Sequence, residues 1–80
     1  MKYTKPDDLN AIRLAFKSFL SLRGYSFRSF CLNNGLDYFK QYRLIFIGNI
    51  IVDEINKLIK FVDPGYRLSE FRGKFQIVKI

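Results

Sequence analysis

Residues 26–48 read SFRSFCLNNGLDYFKQYRLIFIG, and they decide the fold of this chain. Ser26 and Asp37 are residue types that favour the position just before a helix, because their side-chain oxygens accept hydrogen bonds from unpaired backbone N–H groups. Gly35 lies between them and predicts a helix end, since glycine adopts a positive φ at little cost. The stretch therefore predicts a helix, a glycine-centred turn and a second helix that extends to about Ile47.

A longer helix is predicted before this stretch. Thr4 can cap it, Pro6 is tolerated in its first turn, and Gly24 is a favourable stop. Apolar residues follow helical spacing and form one stripe: Leu9, Ile12, Phe16, Phe19 and Leu20. Three polar residues are expected towards the other side of the helix: Arg13, Lys17 and Ser21.

A fourth helix and a β-hairpin are predicted after the central stretch. The helix is indicated by an apolar seam: Ile51, Ile55, Leu58, Ile59 and Val62. Residues 63–65, Asp-Pro-Gly, are a strong turn signal, and residues 66–71 and 74–80 read as two strands joined around Arg72-Gly73. The predicted fold is mainly α with a small C-terminal β-hairpin: about four short helices containing a helix-turn-helix, then two antiparallel strands, in a single domain of residues 1–80.

The composition indicates a folded chain that is unusually rich in aromatic side chains. Nine Phe and five Tyr in 80 residues argue against intrinsic disorder. In a domain of 80 residues a single hydrophobic core is only marginally sufficient for stability. So much aromatic surface on so short a chain favours a homodimer or another partner interface.

A lone cysteine and the absence of histidine limit the chemistry that this chain can perform. Cys31 can form no intramolecular disulfide, no multi-cysteine zinc site and no Cys-His nucleophile, and it is expected to be a buried small apolar residue. We expect no enzyme activity, no cofactor and no metal. The N-terminus is polar and charged and shows no signal-peptide pattern. The apolar run at residues 44–52 is too short to cross a bilayer. These features predict a cytoplasmic protein with no membrane partner.

The net charge of +7 is concentrated in one part of the chain. Residues 13–43 carry six basic residues against one acid, Asp37, which gives this segment a net charge of +5. A concentrated positive field attracts polyanions, and each phosphate that it neutralises releases counterions. The segment therefore favours a nucleic-acid partner. The alternative is that the excess positive charge only keeps the protein soluble.

Residues 26–48 resemble the helix-turn-helix of small phage and bacterial repressors, the lambda-repressor-like and Ner-like proteins. The matching features are Arg23-Gly24 before the motif, Phe30 and Cys31 in its first helix, and residues 34–36, Asn-Gly-Leu, at the turn. The resemblance implies a transcriptional regulator of phage or mobile-element origin that binds double-stranded DNA. It also implies a dimer whose recognition helices lie about one DNA turn apart.

The second helix of the motif would then enter the major groove and present its first residues to the base edges. Gln41 is suited to adenine, and Lys40 or Arg43 to guanine or phosphate, while Arg28 and Arg23 would hold the backbone. The predicted DNA-binding residues are Arg23, Arg28, Asp37, Tyr38, Lys40, Gln41 and Arg43.

Apolar residues on nearly every side of this helix support another interpretation, since a helix that is apolar all round is usually buried. The chain would then be a protein-interaction module or inhibitor that binds an acidic partner protein. The hairpin also allows two interpretations: its basic residues could contact DNA as a wing, or its apolar residues could cover the helices or pair with a second subunit. RNA binding through aromatic residues on the hairpin ranks below the DNA-binding and the protein-interaction hypotheses.

Overall fold

The computed structural model describes residues Met1–Ile80 and contains four helices and two antiparallel strand pairs. In chain order the elements are β1 (Lys2–Tyr3), α1 (Pro6–Leu22), α2 (Phe27–Asn33), α3 (Tyr38–Phe46), β2 (Ile50–Ile51), α4 (Val52–Val62), β3 (Tyr66–Phe71) and β4 (Lys74–Lys79). The prediction of a mainly α fold with a C-terminal hairpin is confirmed. None of the four helices is both long enough and apolar enough to span a lipid bilayer.

Two of the three predicted helix starts are confirmed by their hydrogen bonds. The Ser26 side chain accepts from the backbone of Ser29 at 3.1 Å, and the Asp37 carboxylate accepts from the backbone of Lys40 at 3.2 Å. The prediction that Thr4 caps α1 is wrong. Because a residue before proline is held extended, Lys5 takes the position before the helix, and no side chain caps this end.

The turn between α2 and α3 is set by a Schellman motif. Gly35 has a φ of +65°, its N–H donates to the Leu32 carbonyl at 3.4 Å, and the Leu36 N–H donates to the Cys31 carbonyl at 2.9 Å. These bonds satisfy carbonyls that the helix end would leave unpaired. The glycine-centred turn predicted from the sequence is therefore confirmed.

The apolar stripe of α1 forms the centre of the hydrophobic core, as predicted. The buried apolar residues are Leu9, Ile12, Phe16, Phe19, Leu20, Phe30, Cys31, Ile45, Ile50, Ile55, Leu58, Ile59 and Leu68. Burial of Cys31 confirms its expected packing role. Ile51 was expected on the buried seam of α4 but is exposed, because the chain is still extended there and α4 begins one residue later.

The hairpin turn requires two residues in the left-handed region. Phe71 pairs with Lys74, and the two residues between them, Arg72 and Gly73, have φ values of +52° and +76°. Positive φ at both central positions defines a type I′ turn, whose twist matches that of the flanking strands. The predicted connection around Arg72-Gly73 is confirmed.

The hairpin packs on the helices, with β4 against α1 and β3 against α4. Leu68 is buried, and its N–H donates to the Asn56 side-chain oxygen on α4 at 2.9 Å. Phe75 and Ile77 lie half-buried against the core. The expectation that the hairpin covers the helices is therefore confirmed, while its roles as a DNA wing or as a subunit interface stay predictions.

The β1–β2 pair was not predicted. Lys2 pairs with Ile51, and Tyr3 pairs with Ile50. The Tyr3 ring also packs edge-on against Phe75 with centroids 4.9 Å apart, so β1 links the start of α4 to the hairpin. Two-residue strands carry no periodicity, and their partners are distant in the chain, which is why the sequence pattern does not indicate them.

The substitution Gly35→Ala tests the turn. An ideal Cβ at this glycine meets no atom within 4 Å, so the cost is that of a positive φ alone, about 1–2 kcal/mol of unfolding free energy in a urea titration. Gly65→Ala is the matched control, because the φ of Gly65 lies outside the left-handed region and its Cβ makes an ordinary contact with Asp63. Equal losses in the two variants would contradict this account of the turn.

Candidate nucleic-acid interface

Helix α3 has one buried side and one exposed side. Gln41 and Ile45 face inward, and the residues on the opposite side of the helix are exposed. The outer face of α3 comprises Phe39, Lys40, Tyr42, Arg43 and the following residue Ile47. Three of them are large apolar side chains, with exposed fractions of 73% for Phe39, 39% for Tyr42 and 59% for Ile47. The helix is therefore not fully buried, and its exposed side combines apolar with basic side chains.

Arg13 of α1 holds the C-terminal end of α3. Its Nε donates to the Ile45 carbonyl at 2.7 Å, and its Nη2 donates to the Gly48 carbonyl at 2.8 Å. The prediction that Arg13 points away from the core side of α1 is wrong. Carbonyls at a helix end lack intrahelical partners, and the half-buried guanidinium supplies donors to them.

An aromatic cluster joins α2 to the outer face of α3. The Phe27 ring lies 5.0 Å from Phe46, 5.7 Å from Tyr38 and 6.4 Å from Tyr42, measured between centroids. Lys17 of α1 places its Nζ 5.1 Å from the centroid of Phe46. The packing of α1 against α3 thereby adds a positive charge beside this α2–α3 aromatic cluster.

Three of the predicted DNA-binding cations are exposed: Arg28, Lys40 and Arg43. Asp37 is also exposed, but its carboxylate caps α3, so it positions the helix. Tyr38 is half-buried, and its ring contributes to the aromatic cluster.

Arg23 is engaged elsewhere, which corrects the expectation that it faces a DNA backbone. The centre of its guanidinium lies 3.8 Å from the Phe19 ring centroid and 4.8 Å from that of Tyr66. Its Nη2 is 3.9 Å from the Asp63 carboxylate. These contacts join the end of α1 to the hairpin, because a guanidinium can stack on aromatic rings while it pairs with an acid.

Gln41 is only 9% exposed, which corrects its expected position on the groove-facing side. It lies four residues before Ile45, so both share the inner side of α3. The Gln41 side chain is thus directed towards the core, and the helical phase that buries it exposes Phe39 and Arg43.

Phe39, Tyr42 and Lys17 belong to this surface but were absent from the predicted site. The spacing carried one signal for Phe39, because it precedes Arg43 by four residues and so shares its helix face, but the spacing does not show that this face is exposed. Lys17 offered none, because its position beside Phe46 depends on the packing of two distant helices.

Burial raises the pKa of the Cys31 thiol, and the nearby Asp37 carboxylate raises it further. A thiol with a raised pKa stays protonated near neutral pH, whereas the thiolate is the nucleophile. In the last turn of α2, Cys31 therefore acts as a small packing residue, and its carbonyl accepts the hydrogen bond from the Leu36 N–H.

Comparisons with protein-family models, curated proteins and solved structures find no match for this chain. Chemically, the surface combines exposed ammonium and guanidinium groups with aromatic rings. Such a surface can bind phosphates by charge and planar apolar groups by contact.

Replacing Arg13 with Met tests its hold on α3. The variant leaves two carbonyls without their charged donor, and we expect the unfolding free energy in urea to fall by about 2–3 kcal/mol. Arg28→Met removes the same charge from an exposed side chain and is expected to stay within about 0.5 kcal/mol of the parent protein. A similar small change in both variants would show that the two hydrogen bonds contribute little.

Proposed function

We propose that the protein binds duplex DNA by inserting the outer face of α3 into the major groove, and that it regulates transcription. The observation that carries this proposal is the exposure of Lys40 and Arg43 on one side of a nine-residue helix whose other side is buried. A helix anchored in this way can enter a groove about 12 Å wide without unpacking.

The charges near this surface support a polyanionic partner. Lys40 and Arg43 lie on α3, Lys17 contacts the aromatic cluster, and Arg28 follows Phe27 of that cluster in the chain. The one acid in residues 26–48, Asp37, already accepts a hydrogen bond from the start of α3. Residues 26–48 carry three basic residues against this one acid, so their net charge is positive and suited to phosphates.

The side chains differ in what they can recognise. Arg43 has a planar guanidinium that can donate two hydrogen bonds to guanine, and Lys40 can donate to guanine or to a phosphate. Arg28 lies on the other helix of the motif and is suited to a backbone phosphate. A dimer that presents two copies of α3 about one DNA turn apart stays a prediction.

A protein partner is the second candidate. Tyr38, Phe39, Tyr42, Arg43 and Ile47 line an open groove of about 350 Å³. Aromatic residues and arginine dominate the energetics of many protein interfaces. The cations beside the groove would then select an acidic protein.

The substitutions Lys40→Ala and Arg43→Ala test DNA binding. Each is expected to weaken binding to a duplex selected from a randomised pool by about 5- to 150-fold, measured by fluorescence anisotropy, because each removes a group that binds a base or a phosphate. Where the removed side chain neutralised a phosphate, the slope of log affinity against log salt concentration should also become shallower by about 1.

Lys60→Ala is the matched control for these variants. Lys60 is an exposed cation on α4 that lines a shallow surface with Arg67 and Ile80, and its removal should leave specific affinity within about twofold. Absence of salt-dependent duplex binding by the parent protein would contradict the proposal. One stoichiometric protein partner that withstands nuclease treatment would then favour the interaction module.

Gln41→Leu separates the inner and outer sides of α3. The leucine places an apolar group on the buried side, and we expect unchanged DNA affinity with an unfolding free energy higher by about 1 kcal/mol. An anisotropy titration and a urea titration of the same preparation measure both quantities. A tenfold loss of affinity confined to adenine-containing sites would instead show that Gln41 reads a base.

A further inference from the structure

Phe39 is the most exposed aromatic residue on the outer face of α3, with 73% of its surface accessible. It is the second residue of the helix, in the half that a recognition helix directs to base edges. Its one aromatic neighbour is Tyr38, whose ring centroid is 5.4 Å away in an edge-on arrangement. The core therefore does not enclose this ring.

A phenylalanine has no hydrogen-bonding group with which to read the major groove. Against guanine, adenine or cytosine it would cover polar groups without replacing their bonds to water, which costs free energy. Thymine is different, because its C5-methyl group projects into the major groove and favours apolar contact. Among the four bases, thymine is therefore the one that complements this side chain.

We infer that Phe39 selects thymine through its 5-methyl group, an inference that rests on the proposed binding of duplex DNA by α3. Tyr42 extends the apolar surface, since its ring is held 5.0 Å from Phe46 and remains partly exposed. Phe39 is a specificity-determining residue that the sequence pattern did not identify.

The position of Arg43 adds a constraint on the target sequence. Arg43 follows Phe39 by four residues on the same face, which separates their Cβ atoms by about 5–6 Å. Successive base pairs are about 3.4 Å apart along the duplex. The thymine contacted by Phe39 therefore lies one or two base pairs from a guanine contacted by Arg43.

Replacing thymine with deoxyuridine tests the inference, because this change removes the methyl group and leaves base pairing intact. A duplex site is first selected with the parent protein, and each thymine in it is then replaced singly. Loss of the critical methyl should weaken binding about three- to fivefold, since burying one such group contributes about 0.8 kcal/mol. The Phe39→Ala variant should bind the two duplexes equally.

Phe71→Ala is the matched control, because Phe71 is 71% exposed but lies at the hairpin turn. It should retain the preference for thymine over deoxyuridine, whatever its overall affinity. Salt-dependent duplex binding with no methyl effect, or with a methyl effect that survives in Phe39→Ala, overturns the inference and leaves the proposed function standing. Absence of any duplex binding by the parent protein overturns both.

Discussion

Two hydrogen bonds from Arg13 to the end of α3 set the arrangement on which the rest of the structure depends. They join the first helix to the Ile45 carbonyl in the last turn of α3, which lacks an intrahelical partner, and to the Gly48 carbonyl just after the helix. With this end held and Ile45 in the core, only one rotation of α3 about its axis remains. That rotation buries Gln41 and exposes the outer face.

The basic residues of the chain serve two different purposes. Arg13 and Arg23 are used inside the protein, where one supports α3 and the other joins α1 to the hairpin. Lys17, Lys40 and Arg43 remain exposed, on α3 or beside its aromatic cluster. Not every basic residue of the segment 13–43 is therefore free to meet an external partner.

The aromatic residues are divided in the same way. Phe16 and Phe30 are fully buried, and their rings meet edge-on with centroids 6.3 Å apart. Phe27 connects this core to the α2–α3 cluster, because its ring also lies 5.0 Å from Phe46. The rings of the α2–α3 cluster are held by several neighbours each, whereas the exposed Phe39 contacts Tyr38 alone among the aromatic residues.

The sequence by itself determined the local features: the caps at Ser26 and Asp37, the turn at Gly35 and the apolar stripe of α1. These depend on hydrogen bonds and periodicity within a few residues, so the chain reveals them directly. Only the tertiary structure decided that Arg13 turns inward and that Phe39, not Gln41, faces outward. Those outcomes depend on contacts between segments far apart in the chain, which local patterns do not encode.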